Sequence, residues 1–241
     1  MRARIYVMSR QKKRILVVED ETAICAGLVD VFVFHGYDVE SADNGPQGLK
    51  MALSGQFHLI LLDIMLPGMD GYEVCNRIRE HDKNQAIIML TAKGSDDDII
   101  QGLTLGADDY VTKPFSVAQL VLRVQAVLRR SLNEEEDNEQ IQLDDDFVID
   151  MLNLNGQRAA QELVFTRREI EILRYLYQNN TRPVSREELL NKVWGYAKHV
   201  DIETRTVDIH IAKLRRKIES EPSKPRYLVT VRGAGYRLMS Q

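Results

Sequence analysis

The sequence predicts an α/β protein in two parts: a doubly wound, five-stranded parallel sheet, then a smaller α+β domain. Two observations carry this. Over residues 13–130, five short β-rich runs alternate with helix-length segments, the pattern of a parallel sheet covered on both faces. Along the chain of 241 residues the charge then reverses. Residues 14–130 hold 10 Lys and Arg against 17 Asp and Glu, residues 131–150 none against 9, and residues 151–241 17 against 10. An acidic first part and a basic last part imply different partners.

The predicted strands of the first part are RILVV (14–18), YDVESA (37–42), FHLILL (57–62), AIIML (86–90) and DYVTK (109–113). Helices are predicted over 21–35, 46–54, 70–80, 95–105 and 116–130. The acidic, polar run SLNEEEDNEQ marks a linker over 131–140. Domains are therefore expected at 13–130 and 141–241. Residues 1–12 read as a short disordered tail, with Met1 and Met8 both admissible as initiator.

Composition excludes several classes. No apolar run approaches the roughly 20 residues of a membrane span, and the N-terminus has no apolar signal-peptide core. A soluble, cytoplasmic protein with no membrane partner is expected. Cys25 and Cys75 are isolated, without CxxC spacing, which speaks against a disulfide framework or a zinc site. Neither GxxxxGK nor GxGxxG occurs, and no Ser-His-Asp set stands out, so a turnover enzyme is not expected.

In a parallel α/β sheet the working site lies at the carboxyl ends of the strands. Glu19 and Asp20 follow the first strand, Asp63 the third, Thr91 the fourth, and Lys113 with Pro114 the fifth. Three carboxylates, a hydroxyl and an ammonium converge at one rim. Like charges at close quarters need a cation, and an all-oxygen set favours a hard ion such as Mg²⁺. The constellation suits phosphoryl transfer onto a carboxylate, with Asp63, central in the sheet, as the nucleophile.

The motifs VVEDE, LILLDIMLPGMDGYEV, IIMLTAK and GADDYVTKPF together resemble the receiver domain of a bacterial two-component response regulator, with a flavodoxin-like sheet. The resemblance implies that Asp63 accepts phosphate from a sensor histidine kinase. It implies that Asp20, Asp63 and the backbone carbonyl of Met65 bind Mg²⁺, with Glu19 helping through water. Lys113 would pair with the acyl phosphate, and Thr91 and Tyr110 would form the switch pair. Asp70 reads as the cap of the helix that starts near Gly71.

In the second part, residues 141–164 contain short alternating runs that suit a small antiparallel sheet. Capping-box signatures open two helices, Thr166 with Glu169 and Ser185 with Glu188. A third helix runs over 204–219, and RYLVTVRGAGYRL closes the chain as two β-rich runs joined through Gly233 and Gly235. At about 100° per residue, Val207, Ile211, Leu214 and Ile218 form one core stripe of the third helix. Arg205, Ile209, Ala212, Lys213 and Arg216 fall opposite, a basic face with small and apolar interruptions that fits a major groove.

This second part resembles the winged helix-turn-helix domain of the OmpR/PhoB family, on LLNKVWG, RTVDIHIAKLRRKI and VRGAGYRL. By that resemblance 204–219 is the recognition helix and the hairpin around Gly233 is the wing, with Arg232 reaching a minor groove. Thr206, His210, Arg215 and Thr230 become further DNA neighbours, and Trp194 a core anchor. Members of the family bind tandem direct-repeat half-sites as head-to-tail pairs.

In the family the active receiver dimer uses helix 95–105, strand 109–113 and helix 116–130, held partly by charge pairs across a two-fold. Aligned to that pattern, this chain keeps Asp109 with Arg123 and Asp108 with Arg130. Two other pairs are replaced by Ile99 with Gln119 and Thr104 with Gln125, so both members lose charge together and no ion is left unpaired. The reading is a transcription factor with Mg²⁺, a kinase, promoter DNA, RNA polymerase and a second copy as partners. Competing readings are a Mg²⁺-dependent phosphatase with an aspartyl-phosphate intermediate, and a DNA-binding protein with a phosphate-independent receiver. The phosphatase needs an acid two residues beyond Asp63, where this chain has Met65.

Overall fold

The computed structural model describes residues 12–91, 106–130, 140–195 and 205–240. In the first part the strands are β1 (Arg14–Val18), β2 (Asp38–Ala42), β3 (Leu59–Asp63), β4 (Ala86–Thr91) and β5 (Asp109–Thr112). They form one parallel sheet in the order β2-β1-β3-β4-β5. The described helices are α1 (Thr22–Phe34), α2 (Gly45–Ala52), α3 (Gly71–His81) and α4 (Val117–Arg130). The helix expected over 95–105 and the linker 131–139 lie outside the described residues.

The sheet is buried on both faces, as the near-continuous apolar strands require. Leu16, Val18, Ile60, Leu62, Ile87 and Met89 pack under α2 and α3 with Val74, Cys75 and Ile78. Ile15, Val17, Leu59, Leu61, Ile88 and Leu90 pack under α1 and α4 with Leu28, Phe32, Leu120 and Val124. All five residues of β3 are buried, so Asp63 is the polar end of an apolar rod. Asp70 caps α3 as expected, its carboxylate accepting from the Glu73 N–H at 2.8 Å.

The second part opens with a four-stranded antiparallel sheet: β6 (Gln140–Asp144), β7 (Phe147–Asp150), β8 (Asn155–Arg158) and β9 (Gln161–Val164). Three helices follow, α5 (Arg167–Gln178), α6 (Arg186–Val193) and α7 (Arg205–Ile218), and then the hairpin β10 (Leu228–Val231) and β11 (Gly235–Leu238). The Thr166–Glu169 capping box is complete at the start of α5. At α6 only half of the expected box forms. Ser185 accepts from the Glu188 N–H at 3.0 Å, but the Glu188 carboxylate turns instead to Arg182 and Tyr175.

The hairpin is stitched to the body by Val184, whose N–H donates to Tyr236 O at 2.7 Å and whose O accepts from Tyr236 N–H at 2.9 Å. Gly235 makes this possible: its φ is +124°, and a Cβ there would stand 2.0 Å from the Val184 carbonyl oxygen. Trp194, fully buried, anchors the core of this domain with Phe147, Phe165, Leu173 and Leu214.

Candidate functional site

The structure brings the carboxyl-end residues together. Oxygens of Glu19, Asp20 and Asp63 lie within 4.8 Å of one another. Lys113, just past β5, places its ammonium 2.9 Å from Glu19 Oε1 and 3.1 Å from Asp63 Oδ2. The other Asp63 oxygen accepts from the Ile64 N–H at 2.8 Å. Thr91 ends β4 fully buried, Tyr110 is buried in β5, and Met65 is exposed beside the site. Glu19 and Asp63 are buried, whereas Asp20 faces solvent.

Two further residues complete the site beyond the sequence expectation. Glu21 sends its carboxylate to 3.7 Å from Lys113, and its N–H reaches Glu19 Oε1 at 3.4 Å. Its signal was the third acid in VVEDE. Gly71 is the other: a Cβ there would meet the Asp63 carbonyl oxygen at 2.1 Å. The start of α3 therefore closes directly on the backbone of Asp63.

Burial sets the electrostatics. It raises the Asp63 carboxyl above its ordinary value, against the pull of Lys113 and of the Ile64 and Met65 backbone. It raises Glu19 likewise, and the Asp63 charge adds to that. For Lys113 burial acts downward, but the hydrogen bond to Glu19 and the charge of Asp63 leave the ammonium raised overall. Glu19 Oε2 is buried without a hydrogen bond of ordinary geometry, although the ammonium lies 2.8 Å away. Two desolvated carboxylates, a third at the solvent edge and one ammonium form a donor set that suits a hard divalent cation, so this group could hold Mg²⁺.

The residues expected to face DNA divide. Arg216 on α7 and Thr230 and Arg232 on the hairpin are exposed. Arg215 donates to Leu228 O at 2.8 Å and to Thr230 Oγ1 at 2.7 Å, so it fastens α7 to the hairpin. Thr206, Ile209, His210 and Lys213 are buried, contrary to an open DNA face in this arrangement. For Lys213 the reason lies inside the domain. Glu169 is fully buried, and a desolvated carboxylate demands cations. Lys213 and Lys217 supply them at 3.2 and 2.6 Å. Ile209 and His210 are covered by the N-terminal domain. The Arg205 side chain lies outside the described residues.

Two residues expected at a receiver interface are engaged within the chain. The Asp108 carboxylate is buried, 3.1 Å from Arg79 on α3, and accepts from the Ile87 N–H at 2.8 Å. Asp109 and Arg123 do pair, at 2.8 Å, but within one chain and with both side chains buried. A strand residue pointing back onto the adjacent helix meets its own partner before it meets another copy's. Gln119 is half-buried and Gln125 exposed on α4. Ile99, Thr104 and the Arg130 side chain lie outside the described residues.

Fold and site together define a doubly wound α/β domain, with an acidic cluster at the carboxyl ends of its strands, joined to a winged-helix domain. Residues 15–125 match the response regulator receiver domain, and residues 160–238 match the C-terminal domain of transcriptional regulatory proteins. A solved structure of DrrB, a Thermotoga maritima OmpR/PhoB homolog, is 31% identical over 95% of this chain and all of its own, with a TM-score of 0.51. A solved structure of a RitR mutant is 27% identical over the same shares, with a TM-score of 0.69. A CheY-like receiver from Methanospirillum hungatei is 33% identical over 52% of this chain and all of its own, with a TM-score of 0.50. The chain belongs to the OmpR/PhoB family and is a two-component transcriptional response regulator. Among the described residues no helix is long and apolar enough to cross a membrane.

Proposed function

We propose that this protein is phosphorylated on Asp63 by a sensor histidine kinase, and that phosphorylation promotes receiver dimerisation and binding to tandem promoter half-sites. One observation carries the reading: Glu19, Asp20, Asp63 and Lys113, from three different strand ends, meet at one point. In the transfer an Asp63 oxygen attacks phosphorus, the P–N bond to the kinase histidine breaks, and its electron pair returns to the imidazole. Asp20, Asp63 and the Met65 carbonyl, with Glu19 through water, would hold Mg²⁺, which offsets charge on the phosphoryl oxygens. Lys113 leaves its pairing with the carboxylates and balances the acyl phosphate.

The new phosphoryl group draws on the Thr91 hydroxyl and resets Tyr110 on the neighbouring strand. Domains at 13–130 and 141–241, joined by the linker 131–140, let that change reach the winged helix. Two copies on one DNA raise affinity through effective concentration. Arg205, Arg216, Thr230 and Arg232 would then contact promoter DNA, and bound dimers would act on RNA polymerase. The test is labelling by acetyl phosphate with Mg²⁺. One phosphoryl group on Asp63, lost in Asp63→Ala and without the metal, supports the proposal; labelling elsewhere overturns it.

A further inference from the structure

Among the described side chains of α7 only Ala212 and Arg216 are exposed, and they stand one turn apart on the same face. Every other charged side chain described on this helix is engaged inside its own domain. Lys213 and Lys217 neutralise the buried Glu169 at 3.2 and 2.6 Å. Arg215 donates to Leu228 O and Thr230 Oγ1 on the hairpin. Asp208 accepts from Arg186 Nε and from the Tyr236 hydroxyl, both at 2.6 Å. The described part of α7 left to meet a base pair is therefore one methyl group and one guanidinium.

We propose that α7 reads a thymine methyl with Ala212 and a guanine with Arg216, within about two base steps of each other, so that each half-site is specified by one T·A and one G·C pair. The inference rests on reading α7 as the DNA-contacting helix and names the bases that this helix selects. Ala212 carries neither donor nor acceptor. In the major groove the C5 methyl of thymine is the apolar group on offer, so it is the base feature an alanine can favour. Cytosine in that place presents an amino donor, and guanine two acceptors, that Ala212 cannot pair. Arg216 is the donor still free, and its planar fork matches O6 and N7 of guanine. A helical turn rises about 5.4 Å and a base step about 3.4 Å, which sets the distance between the two contacts.

Full-length protein with beryllofluoride and Mg²⁺ is used to enrich duplexes from a random-sequence pool, and the enriched duplex is labelled for anisotropy. Each thymine is then replaced in turn by deoxyuridine, which removes the methyl alone, and each guanine by 7-deazaguanine, which removes N7. One deoxyuridine position is expected to weaken wild-type binding about fourfold, the effect of one buried methyl, and to leave Ala212→Gly unaffected. One 7-deazaguanine position, within two steps of it, is expected to weaken wild type about tenfold and to leave Arg216→Ala unaffected.

A pool that yields no common sequence overturns the proposal, as does an enriched duplex in which no single deoxyuridine weakens wild type. That scan needs no variant, so it decides even if Ala212→Gly does not fold. A sensitive thymine that costs Ala212→Gly as much as wild type assigns the methyl to another residue and also overturns it. So does a sensitive guanine that costs Arg216→Ala as much as wild type. Failure of the underlying reading shows separately. Arg216→Ala then binds a duplex of random sequence as well as wild type does, whereas a helix that touches DNA without reading bases loses that affinity and gives flat scans.

Discussion

Arg79 and Asp108 form a buried ion pair, Nη2 to Oδ2 at 3.1 Å, that ties α3 to the start of β5. Arg79 also donates to Gly106 O at 2.9 Å, and Asp108 also receives the Ile87 N–H. Removing one partner leaves a desolvated charge, so Arg79→Leu is expected to lower stability by about 3–5 kcal/mol. Arg79→Leu combined with Asp108→Asn is expected to recover part of that loss. Urea unfolding of the four proteins of the cycle measures it, and a single-variant loss under about 1 kcal/mol would contradict the pair's importance.

Gly71 offers a second test, at the proposed phosphoacceptor Asp63. A methyl group there collides with the Asp63 carbonyl oxygen, a backbone atom that cannot swing aside. Gly71→Ala is expected to cost about 1–3 kcal/mol and to slow acetyl-phosphate labelling by displacing Asp63. Ala at Gly27, where an added Cβ meets nothing within 4 Å, serves as the control and is expected to label normally.

The parallel sheet and the acidic rim were legible in the sequence because each rested on a local signal: apolar runs of strand length, and chemistry at their ends. The strands were found within one or two residues of their observed bounds. What the sequence does not carry is partner choice among charges within the fold. Helix periodicity put Lys213 on the polar side of α7, but periodicity is blind to Glu169, distant in sequence and buried. The resemblance pairs Asp108 with Arg130 between two copies, and within one chain the tertiary fold also delivers Arg79 to it, from a helix distant in sequence. Gly71 was seen only as a helix start, since a close backbone approach leaves no pattern beyond the glycine itself.

Lys213 and Arg216 should therefore separate stability from binding. Lys213→Ala deprives a buried carboxylate of one of two cations, and about 1–3 kcal/mol of stability is expected to go. Arg216, exposed on α7, has no such duty, and Arg216→Ala is expected to weaken DNA binding by about 1–3 kcal/mol with stability nearly unchanged. Thermal unfolding and duplex anisotropy on both variants settle the division. The reverse pattern would restore Lys213 as a DNA contact.

The acidic site around Asp63 is expected to be held at the expense of stability. Burial raises Asp63 and Glu19, so the folded protein holds protons there more tightly than the unfolded chain. That contribution is full below the ordinary carboxylate value and is lost as pH rises through the raised one, which leaves the charged site destabilising at neutral pH. Asp63→Asn is expected to raise stability by about 0.5–2 kcal/mol at pH 7, a gain that shrinks as pH falls. Mg²⁺ should stabilise wild type more than the variant. Scanning calorimetry at several pH values checks both, and a destabilised Asp63→Asn would refute the account.

His210 makes the contact between the two domains sensitive to acid. Its ring stands 5.2 Å from that of Trp194, edge-on, and the residue is 1% exposed. Burial first, then Lys213 on its own helix and Arg168 from α5, hold its pKa well below the ordinary 6.5, although the Asp108 carbonyl favours the charged form. The Asp108 carboxylate offers little relief, because Arg79 already occupies it. A histidine lowered by burial keeps its contribution above 6.5 and loses it as pH falls below that value, since the exposed ring then takes up a proton the buried ring refuses. Trp194 quenching is expected to increase between about pH 7 and pH 5.5, through the ordinary histidine range. His210→Phe keeps a ring beside Trp194 and removes the titration. Its quenching should stay flat over that interval, and a pH response equal to that of wild type would assign the effect to another group.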